Sequence, residues 1–524
     1  MRVTKLLVGS ACWGLWACGA GLDPPGVMQD ANAIAVWPTG CPAGSVVVAP
    51  TDDLQALVVA HDAGTTFCLE KGVHHDSVHA IKSGDTFRSP NGSTADGVIE
   101  NGSVRLQGWT QVSIGGKTYW RTAGGTPLAP AYDNSKCEVG YPACNLPQNL
   151  YFNDVDYTPV TSLAAVDAGT WLYDVSGAVG PANDVYLSDS PIGHVVELGV
   201  LSQAFESSTA DNVTVQGLIV EKYAAQIGDA AIEARAPGWL ITRNEARLNH
   251  GWGIGGRPGS DGVQILYNLS HDNGQFGIAG GSMHNGNVSH NVMVHNNIDH
   301  IVAGFGAGGF KTGGSHNLLV SYNVVHDNLG NGLHADVFCD GVTFDHNTVY
   351  ANSAQGIRYE ISDHGTITNN VLYGNGLGNV QEPGTFSQIG YAASSHGTIR
   401  GNVIASPAGT PGGVSVGYSS ARGGCGSGCT VPVGMAVSGN RIYVPGGASA
   451  SALLDTSGTA STWIVPGIFD GNTYCVPSTP WNGANWQLST DSVAYDDIGF
   501  ANWQQAHQDA HGVLSTTCAV APGG

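Results

Sequence analysis

Two short segments of the sequence bring ionisable side chains together at a fixed spacing. Gly332-Leu-His-Ala-Asp336 contains His334 and Asp336, and Gly356-Ile-Arg-Tyr-Glu360 contains Arg358 and Glu360 at the equivalent places 24 residues later. Lys311 stands about one such spacing before Asp336. Only 11% of the 524 residues are charged, so this concentration of charge marks a candidate site for chemistry.

Alternation of apolar and polar residues predicts which of these side chains face out of the fold. As β-strands, the two segments place Leu333, Ile357 and Ile361 inward and the ionisable residues outward. Counting back seven to nine residues from a repeated phrase, described below, predicts one column of equivalent positions on successive coils: Arg257, Gly281, Lys311, Asp336, Glu360 and the neighbourhood of Tyr391.

Asp336 and Glu360 suit the cleavage of a glycosidic bond. On adjacent coils their carboxyl groups are expected about 5 Å apart, within the ~5–5.5 Å of a retaining glycosidase. The Lys311 ammonium favours an ionised Asp336 as nucleophile, whereas a neighbouring carboxylate pushes Glu360 towards the protonated, acid form. Arg358 acts on Glu360 in the opposite sense. The predicted substrate contacts are Lys311, His334, Arg358, Arg257 and Tyr391.

The same residues permit other functions. A polysaccharide lyase would use Lys311 or Arg358 as the base that removes the C5 proton of a uronate, with Asp336 and Glu360 holding Ca²⁺. A non-catalytic glycan-binding protein would stack sugar rings on aromatic side chains, namely Trp252, Phe276, Tyr359 and Tyr391. A solvated row of surface charges is the alternative without a function. Apart from the calcium of the lyase hypothesis, the sequence predicts no metal site and no cofactor.

A repeated phrase defines the elements that carry these residues. An apolar residue, two further residues and an Asn recur eight times, ending at Asn244, Asn268, Asn291, Asn323, Asn347, Asn370, Asn402 and Asn440. A second Asn follows five residues later in the first six copies. The basic period of 23 or 24 residues is typical of one coil of a parallel β-helix, in which the asparagines stack into ladders. We therefore assign these asparagines to structure, and we assign none to catalysis.

The sequence predicts an all-β, right-handed, single-stranded parallel β-helix with additions at three places. Asp53-Leu-Gln-Ala-Leu-Val-Val and the two segments after it resemble the N-terminal cap and first coils of bacterial pectate-lyase-like proteins. Residues 107–205 form a strand-rich insertion, and Phe500-Ala-Asn-Trp-Gln504 resembles a closing segment. The predicted divisions are a signal peptide at 1–17, a linker at 18–45, cap and insertion at 46–205, the β-helix core at 206–445 and C-terminal coils at 446–524.

The charged segments also resemble the β-helix β-xylosidases of glycoside hydrolase family 120. The matching stretches are Gly332-Leu-His-Ala-Asp336 and Tyr359-Glu-Ile-Ser-Asp-His-Gly365, followed by Asn369-Asn370. The resemblance implies that Asp336 is the nucleophile and Glu360 the acid/base. His334 stands where the family has Trp, and Asp363 is an additional residue.

Composition limits the partners of the chain. A formal net charge of −22 excludes nucleic acid as a partner, because nucleic-acid binding needs clustered Lys and Arg. The expected partner is a polysaccharide or oligosaccharide, and we expect a monomer. Eleven cysteines in an exported protein predict disulfides. The predicted pairs are Cys41 with Cys68, Cys137 with Cys144, Cys425 with Cys429, and Cys475 with Cys518, which leaves Cys339 unpaired and buried.

The N-terminus predicts export. Arg2 and Lys5 precede an apolar run from Leu6 to Ala17 that is too short to cross a bilayer. Leu15-Trp-Ala-Cys18 resembles a bacterial lipobox, which implies lipidation of Cys18. An ordinary signal peptide is the alternative. The expected location is therefore the cell envelope, with the membrane contacted only through a lipid anchor, or the extracellular space.

Overall fold

Short parallel strands recur along the chain at the period of the Asn phrase and build three long sheets, which close into a right-handed parallel β-helix. Strands of successive coils pair in register, as Ile265 does with Val288. The computed structural model describes residues 40–128, 134–376, 378, 387–406, 412–418, 431–444, 448–455, 457–476, 484–489 and 496–516.

Sheets 1 and 2 flank the turn that contains the Asn phrase. In the described residues the strands of sheet 1 are Val46–Val48, Thr66–Leu69, Thr86–Arg88, Thr214–Gln216, Leu240–Thr242, Gln264–Leu266, Asn287–Ser289, Leu319–Ser321, Thr343–Asp345, Thr366–Thr368, Thr398–Arg400, Ala436–Ser438 and Phe469–Asp470. The strands of sheet 2 are Gly72–His74, Val98–Asn101, Ile219–Glu221, Glu245–Arg247, Leu269–His271, Val292–Val294, Val324–His326, Thr348–Tyr350, Val371–Tyr373, Val403–Ala405, Arg441–Tyr443, Thr473–Cys475 and Val513–Ser515.

Sheet 3 carries the charged segments. Its described strands are Phe205–Ser207, Ala230–Ala234, Trp252–Gly256, Phe276–Gly281, Gly308–Gly313, Asn331–Asp336, Ile357–Glu360, Ser387–Ala392, Gly412–Tyr418, Ala448–Asp455, Ala484–Leu488 and Asp496–Ile498. Inward residues such as Ile254, Ile278 and Phe310 pair from coil to coil and are completely buried. Burial of this continuous apolar row is the main stabilising contribution to the stack.

The predicted insertion has its own sheet. The eight strands of this insertion sheet are Ser103–Arg105, Thr110–Ile114, Lys117–Ala123, Leu150–Phe152, Val155–Val160, Thr170–Asp174, Asp184–Leu187 and Val196–Gly199. They lie within residues 103–199, slightly earlier than the predicted 107–205. Their apolar residues form separate clusters, one of them around Trp171 and Leu150.

Helices are few and short in the described residues. The α-helices are Leu54–Ala60, Ala303–Gly306, Ala460–Trp463 and Phe500–Gln505, and the 3₁₀ helices are Thr94–Asp96, Asn134–Lys136 and Leu163–Ala165. The predicted cap is the helix Leu54–Ala60, and the Asp53 side chain accepts a hydrogen bond from the amide of Ala56 at its start. In the described part of the chain, no helix has the length and apolar character needed to cross a membrane.

The asparagines form two ladders inside the turns, as the repeat predicts. In the first, each amide side chain donates to the Oδ1 atom of the Asn one coil later, for example from Asn323 to Asn347 at 3.0 Å. This ladder extends beyond the predicted 205–445 to Asn472 and ends on the carboxylate of Asp509. The second ladder runs from Asn249 to Asn375 and ends on Gln388.

Cysteine pairing agrees with the predicted pairs wherever both partners are described. The disulfides Cys41–Cys68 and Cys137–Cys144 are present, and Cys339 is a buried free thiol. Cys475 is disulfide-bonded as well, although its predicted partner Cys518 lies outside the described residues. Cys425 and Cys429, together with the predicted signal and Cys18, also lie outside them.

Candidate active site

The charged segments lie side by side on the outer face of sheet 3. His334 pairs with Arg358 on the next coil, and two residues further the same register places Asp336 beside Glu360. Lys311 pairs with His334, whereas the partner of Asp336 on that coil is Gly313. The predicted position of Lys311 in the column of Asp336 was therefore wrong by two residues.

Despite this offset, the ionisable groups converge. One carboxylate oxygen of Asp336 and one of Glu360 lie within 4.8 Å of each other and of a ring nitrogen of His334. Lys311 Nζ is 2.8 Å from Asp336 Oδ2, across the two-residue offset. Glu360 accepts a hydrogen bond from Arg358 at 2.9 Å and contacts His334 Nε2 at 3.0 Å. The five side chains thus form one network with two carboxylates at its centre.

The two carboxylates differ in how deeply they are buried. Glu360 is only 2% exposed, whereas the side chain of Asp336 is 16% exposed and faces the open groove. Burial raises the pKa of Asp336, but the neighbouring His334, Lys311 and Arg358 outweigh burial and hold that pKa below its usual value. Burial also lowers the pKa of Arg358 to about 10, which leaves the guanidinium cationic at neutral pH. Asp336 is accordingly the ionised and accessible carboxylate.

Small residues open a groove of about 280 Å³ next to Asp336. Its lining residues are Trp252, Phe276, Ala279, Gly280, Lys311, Gly313, Asp336 and Val337. A Cβ atom at Gly313 would have only the carbonyl oxygen of Asp336 within 4 Å, at 3.5 Å, so the space above this glycine is open. Trp252 and Phe276 meet edge to face, with ring centroids 6.4 Å apart, and form an apolar wall.

Arg257 marks the other end of this face. Its guanidinium lies 5.4 Å from the ring centroid of Trp252 and pairs with Asp229 at 3.1 Å. Three coils separate Arg257 from Asp336, which corresponds to about 14 Å at the usual spacing between strands. The groove therefore extends along sheet 3 from the Asp336 carboxylate towards a second, ion-paired charge.

Two aromatic residues predicted to face this groove lie in the core instead. Tyr391 and Tyr359 are 1% and 0% exposed and stack on each other with ring centroids 4.8 Å apart. They alternate with Arg358 and Glu360 along the strands, so they point inward. Tyr391 is therefore not a substrate contact, and neither tyrosine is a surface stacking platform. Ile361, predicted to face the core, begins the next turn with φ of +52° and packs on Ala393.

His334, Asp336 and Glu360 have the donor types of a metal site, but their charges are already balanced. Lys311 and Arg358 hold the two carboxylates as ion pairs, so a metal ion here would compete with two cations. A calcium ion at this place, as the lyase hypothesis requires, would also take a nitrogen donor that Ca²⁺ does not prefer.

Sequence reasoning missed a larger cleft, of about 610 Å³, where the insertion meets sheet 2. Its ionisable lining residues include Asp154, Asp156, Glu221, Arg247, His271, Asp272, Asp299 and His300. Burial and the adjacent Asp299 carboxylate raise the pKa of Asp156 well above its usual range. The available signal was Asp154-Val-Asp156, but nothing in the repeat places this insertion segment beside residue 299.

Comparisons with known proteins agree with this architecture. Residues 230–404 match the family model described as "Right handed beta helix region". These residues form a right-handed parallel β-helix. The solved structure "The complex structure of XylC with xylose" is 14% identical, covers 91% of this chain and 86% of its own, and superposes with a TM-score of 0.61. A structure described as "Glycoside hydrolase" is 11% identical, covers 74% of this chain and 99% of its own, and has a TM-score of 0.51. A search of curated protein sequences gives no match.

Proposed function

We propose that the protein is a retaining glycoside hydrolase that acts on a polysaccharide or oligosaccharide in the groove of sheet 3. The observation that carries the proposal is the approach of the Asp336 and Glu360 carboxylates to within 4.8 Å. This separation fits a direct nucleophile, because an inverting enzyme needs a gap of roughly 6.5–9.5 Å to admit water.

Asp336 has the properties of the nucleophile. It is ionised, it faces the groove, and Lys311 binds only its Oδ2 atom. Oδ1 is buried and has no hydrogen-bond partner among the described residues, so we assign the attack on the anomeric carbon to Oδ2. The Lys311 contact orients the carboxylate and stabilises its charge until the glycosyl–enzyme bond forms.

Glu360 acts as acid/base within its hydrogen-bond network. The contact between His334 Nε2 and Glu360 Oε1 lets the two groups exchange a proton, so the carboxylate paired with Arg358 takes up a proton from His334 and passes it to the leaving oxygen. In the second step the Glu360 carboxylate removes a proton from water, which attacks the glycosyl–enzyme intermediate. Arg358 holds Oε2 at 2.9 Å throughout and keeps Oε1 in position.

The comparisons support a sugar as the ligand. XylC, whose solved structure holds xylose, and the structure described as a glycoside hydrolase share this fold over most of the chain. The wall formed by Trp252 and Phe276 beside Asp336 offers the apolar surface on which a sugar ring stacks.

The contacts argue against the lyase hypothesis. A lyase base must be able to accept a proton, but Lys311 and Arg358 are both cations paired with carboxylates at 2.8 and 2.9 Å.

Product analysis of variants tests the proposal. Asp336→Asn and Glu360→Ala should each lower hydrolysis of aryl glycosides and polysaccharides by about 100- to 10,000-fold. Azide should partly restore turnover of the Glu360→Ala variant, and NMR should show that the first product retains the anomeric configuration. Asp327→Asn, which changes an exposed carboxylate in the turn after the sheet 2 strand Val324–His326, is the matched control and should keep full activity. An unsaturated product that absorbs in the near ultraviolet, an inverted product, or sugar binding without turnover would each refute the proposal.

We also propose that the protein is exported and anchored through lipid on Cys18. The support is the lipobox-like sequence and the disulfides Cys41–Cys68 and Cys137–Cys144, which suit an oxidising compartment. Cys18→Ser should block processing and move the protein out of the membrane fraction. Recovery of the unaltered protein entirely in the soluble fraction would contradict the anchor.

A further inference from the structure

The first coils of the β-helix contain ionisable groups where later coils contain apolar residues. His74 pairs with Glu100 in sheet 2, and Glu100 pairs with the core residue Val220 on the next coil. His74 and Glu100 are both 0% exposed, and Asp76 beside them is 8% exposed. One donor atom from each of the three side chains lies within 4.8 Å of the others. Three buried metal-ligating side chains therefore converge inside the N-terminal end of the stack.

Hydrogen bonding leaves His74 ready to act as a ligand. Its Nε2 atom lies 2.8 Å from the carbonyl oxygen of Glu70, so Nε2 carries the proton and donates it. Nδ1 then has a lone pair, and this buried atom has no hydrogen-bond partner among the described residues. A histidine bound to metal through one nitrogen commonly donates from the other to a backbone carbonyl in this way.

The carboxylate of Glu100 is buried without compensating hydrogen bonds from the described residues. Both of its carboxylate oxygens are buried without a hydrogen-bond partner in the described part of the chain. The amide of Asp76 and the hydroxyl of Tyr223 lie near enough to lower the pKa of Glu100, but the Tyr223 hydroxyl donates to the carbonyl oxygen of Asp76 at 2.7 Å. A buried carboxylate without a hydrogen-bond partner is strongly unfavourable, so this site needs a cation or a proton.

We propose that His74, Asp76 and Glu100 bind one divalent transition-metal ion, with Zn²⁺ as the ion that fits best. One imidazole nitrogen and two carboxylates are donors that zinc accepts, whereas Ca²⁺ and Mg²⁺ prefer oxygen ligands alone. Two carboxylates and a neutral imidazole balance the charge of a divalent ion. Burial raises the pKa of Glu100 well above its usual range, which is the cost that a bound cation removes.

The surroundings supply a route and a role for this ion. A surface cleft of about 420 Å³ is lined by Asp52, Asp53 and Asp76, so a cation can approach the site along an acidic path. Asp76 Oδ1 also accepts a hydrogen bond from the amide of Leu54, the first residue of the cap helix. The ion therefore ties the cap to the first two coils and stabilises the end of the stack.

Metal content of the intact protein is the first test. Protein produced in zinc-supplemented medium should contain about one zinc ion per chain by mass spectrometry of the elements, and Glu100→Gln and Asp76→Asn should contain almost none. His364→Ala is the matched control, because His364 belongs to an exposed cluster with Asp363 and His396 and should leave the buried zinc unchanged. Zinc lost in the His364→Ala protein and kept in the Glu100→Gln protein would overturn the proposal.

Thermal unfolding separates a metal from a proton at the same place. A zinc chelator should lower the melting temperature of the unaltered protein and of His364→Ala, and have no effect on Glu100→Gln. If a proton occupies the site instead, the unaltered protein will contain no metal and the chelator will not change its melting temperature. The unaltered protein and Glu100→Gln will then have the same melting temperature, and the proposal fails. If Glu100→Gln does not fold, Co²⁺ substitution in the His364→Ala protein, in which the exposed cluster is disrupted, provides the decision. Visible absorption bands of bound Co²⁺ that disappear when zinc is added support the site. The absence of these bands, or an elemental analysis that finds calcium and no zinc, refutes it.

Discussion

Removal of one rung of the first Asn ladder tests whether these side chains stabilise the stack. The Asn347 side chain makes four hydrogen bonds: Oδ1 accepts from the amide and from the side chain of Asn323, and Nδ2 donates to Val320 O and to Asn370 Oδ1. In Asn347→Ala the backbone amide of Asn323 loses its partner inside a turn from which water is excluded. One such orphaned donor costs about 1–3 kcal/mol, and the other three bonds each contribute about 0.5–1.5 kcal/mol net.

These contributions together come to roughly 2.5–7.5 kcal/mol. Truncation also removes two buried polar groups of Asn347 and their desolvation cost, which offsets part of this loss, so we expect Asn347→Ala to lower the free energy of unfolding by about 2–4 kcal/mol. Denaturant unfolding followed by circular dichroism measures the total, and hydrogen exchange of the Asn323 amide measures the local opening. Asn287→Ala is the control, since this half-buried Asn accepts only from Ser289 and should change stability by less than about 0.5 kcal/mol. Equal stability of the two variants, with an unchanged Asn323 exchange rate, would refute the reasoning.

Three further outcomes follow from the site and the core. Lys311→Met should raise the pKa of Asp336, because the ammonium at 2.8 Å helps to depress it, so the acidic limb of kcat/KM should move to higher pH. Lys311→Arg, which keeps the charge, should leave that limb in place, and an unmoved limb in the methionine variant would contradict this reasoning. Gly313→Leu should fill the groove and raise KM or abolish turnover with an unchanged melting temperature, whereas Gly417→Leu, on the same face beyond Glu360, should retain activity. Cys339 should not react with a thiol reagent in the native protein at pH 8, because burial raises its pKa to about 11, and it should react after unfolding.

The coil and its ladders follow from the sequence alone. Each Asn of the phrase comes after a turn residue with positive φ, such as Tyr322 before Asn323 and His346 before Asn347. This local geometry recurs at one period, so backbone pairing between coils aligns the amides without any further information. For the same reason the ladder continues to Asn472, which ends a further copy of the phrase, Phe469-Asp-Gly-Asn472, and then to the carboxylate of Asp509.

Counting residues back from the Asn phrase did not give the correct pairing between the sheet 3 strands that carry the site. Seven residues lead from Asp336 to the start of the sheet 1 strand at Thr343, but only six lead from Gly313 to Leu319. Because strand side chains alternate with a period of two, a difference of one residue in turn length exchanges the outer face for the core. Counting back seven to nine residues therefore admitted Tyr391, one residue before the true partner Ala392 and on the opposite face. It also admitted Lys311, two residues before the true partner Gly313 and on the same face.

Sites that join separate parts of the chain were decided only by the tertiary structure. Asp156 of the insertion meets Asp299 of a loop beside sheet 2, and Asp76 meets Glu100 below the cap helix. A repeat specifies neighbours one period apart, since backbone hydrogen bonds between coils enforce them. It carries no information about how an insertion or a cap folds back on the stack, because those contacts depend on side-chain packing between distant segments.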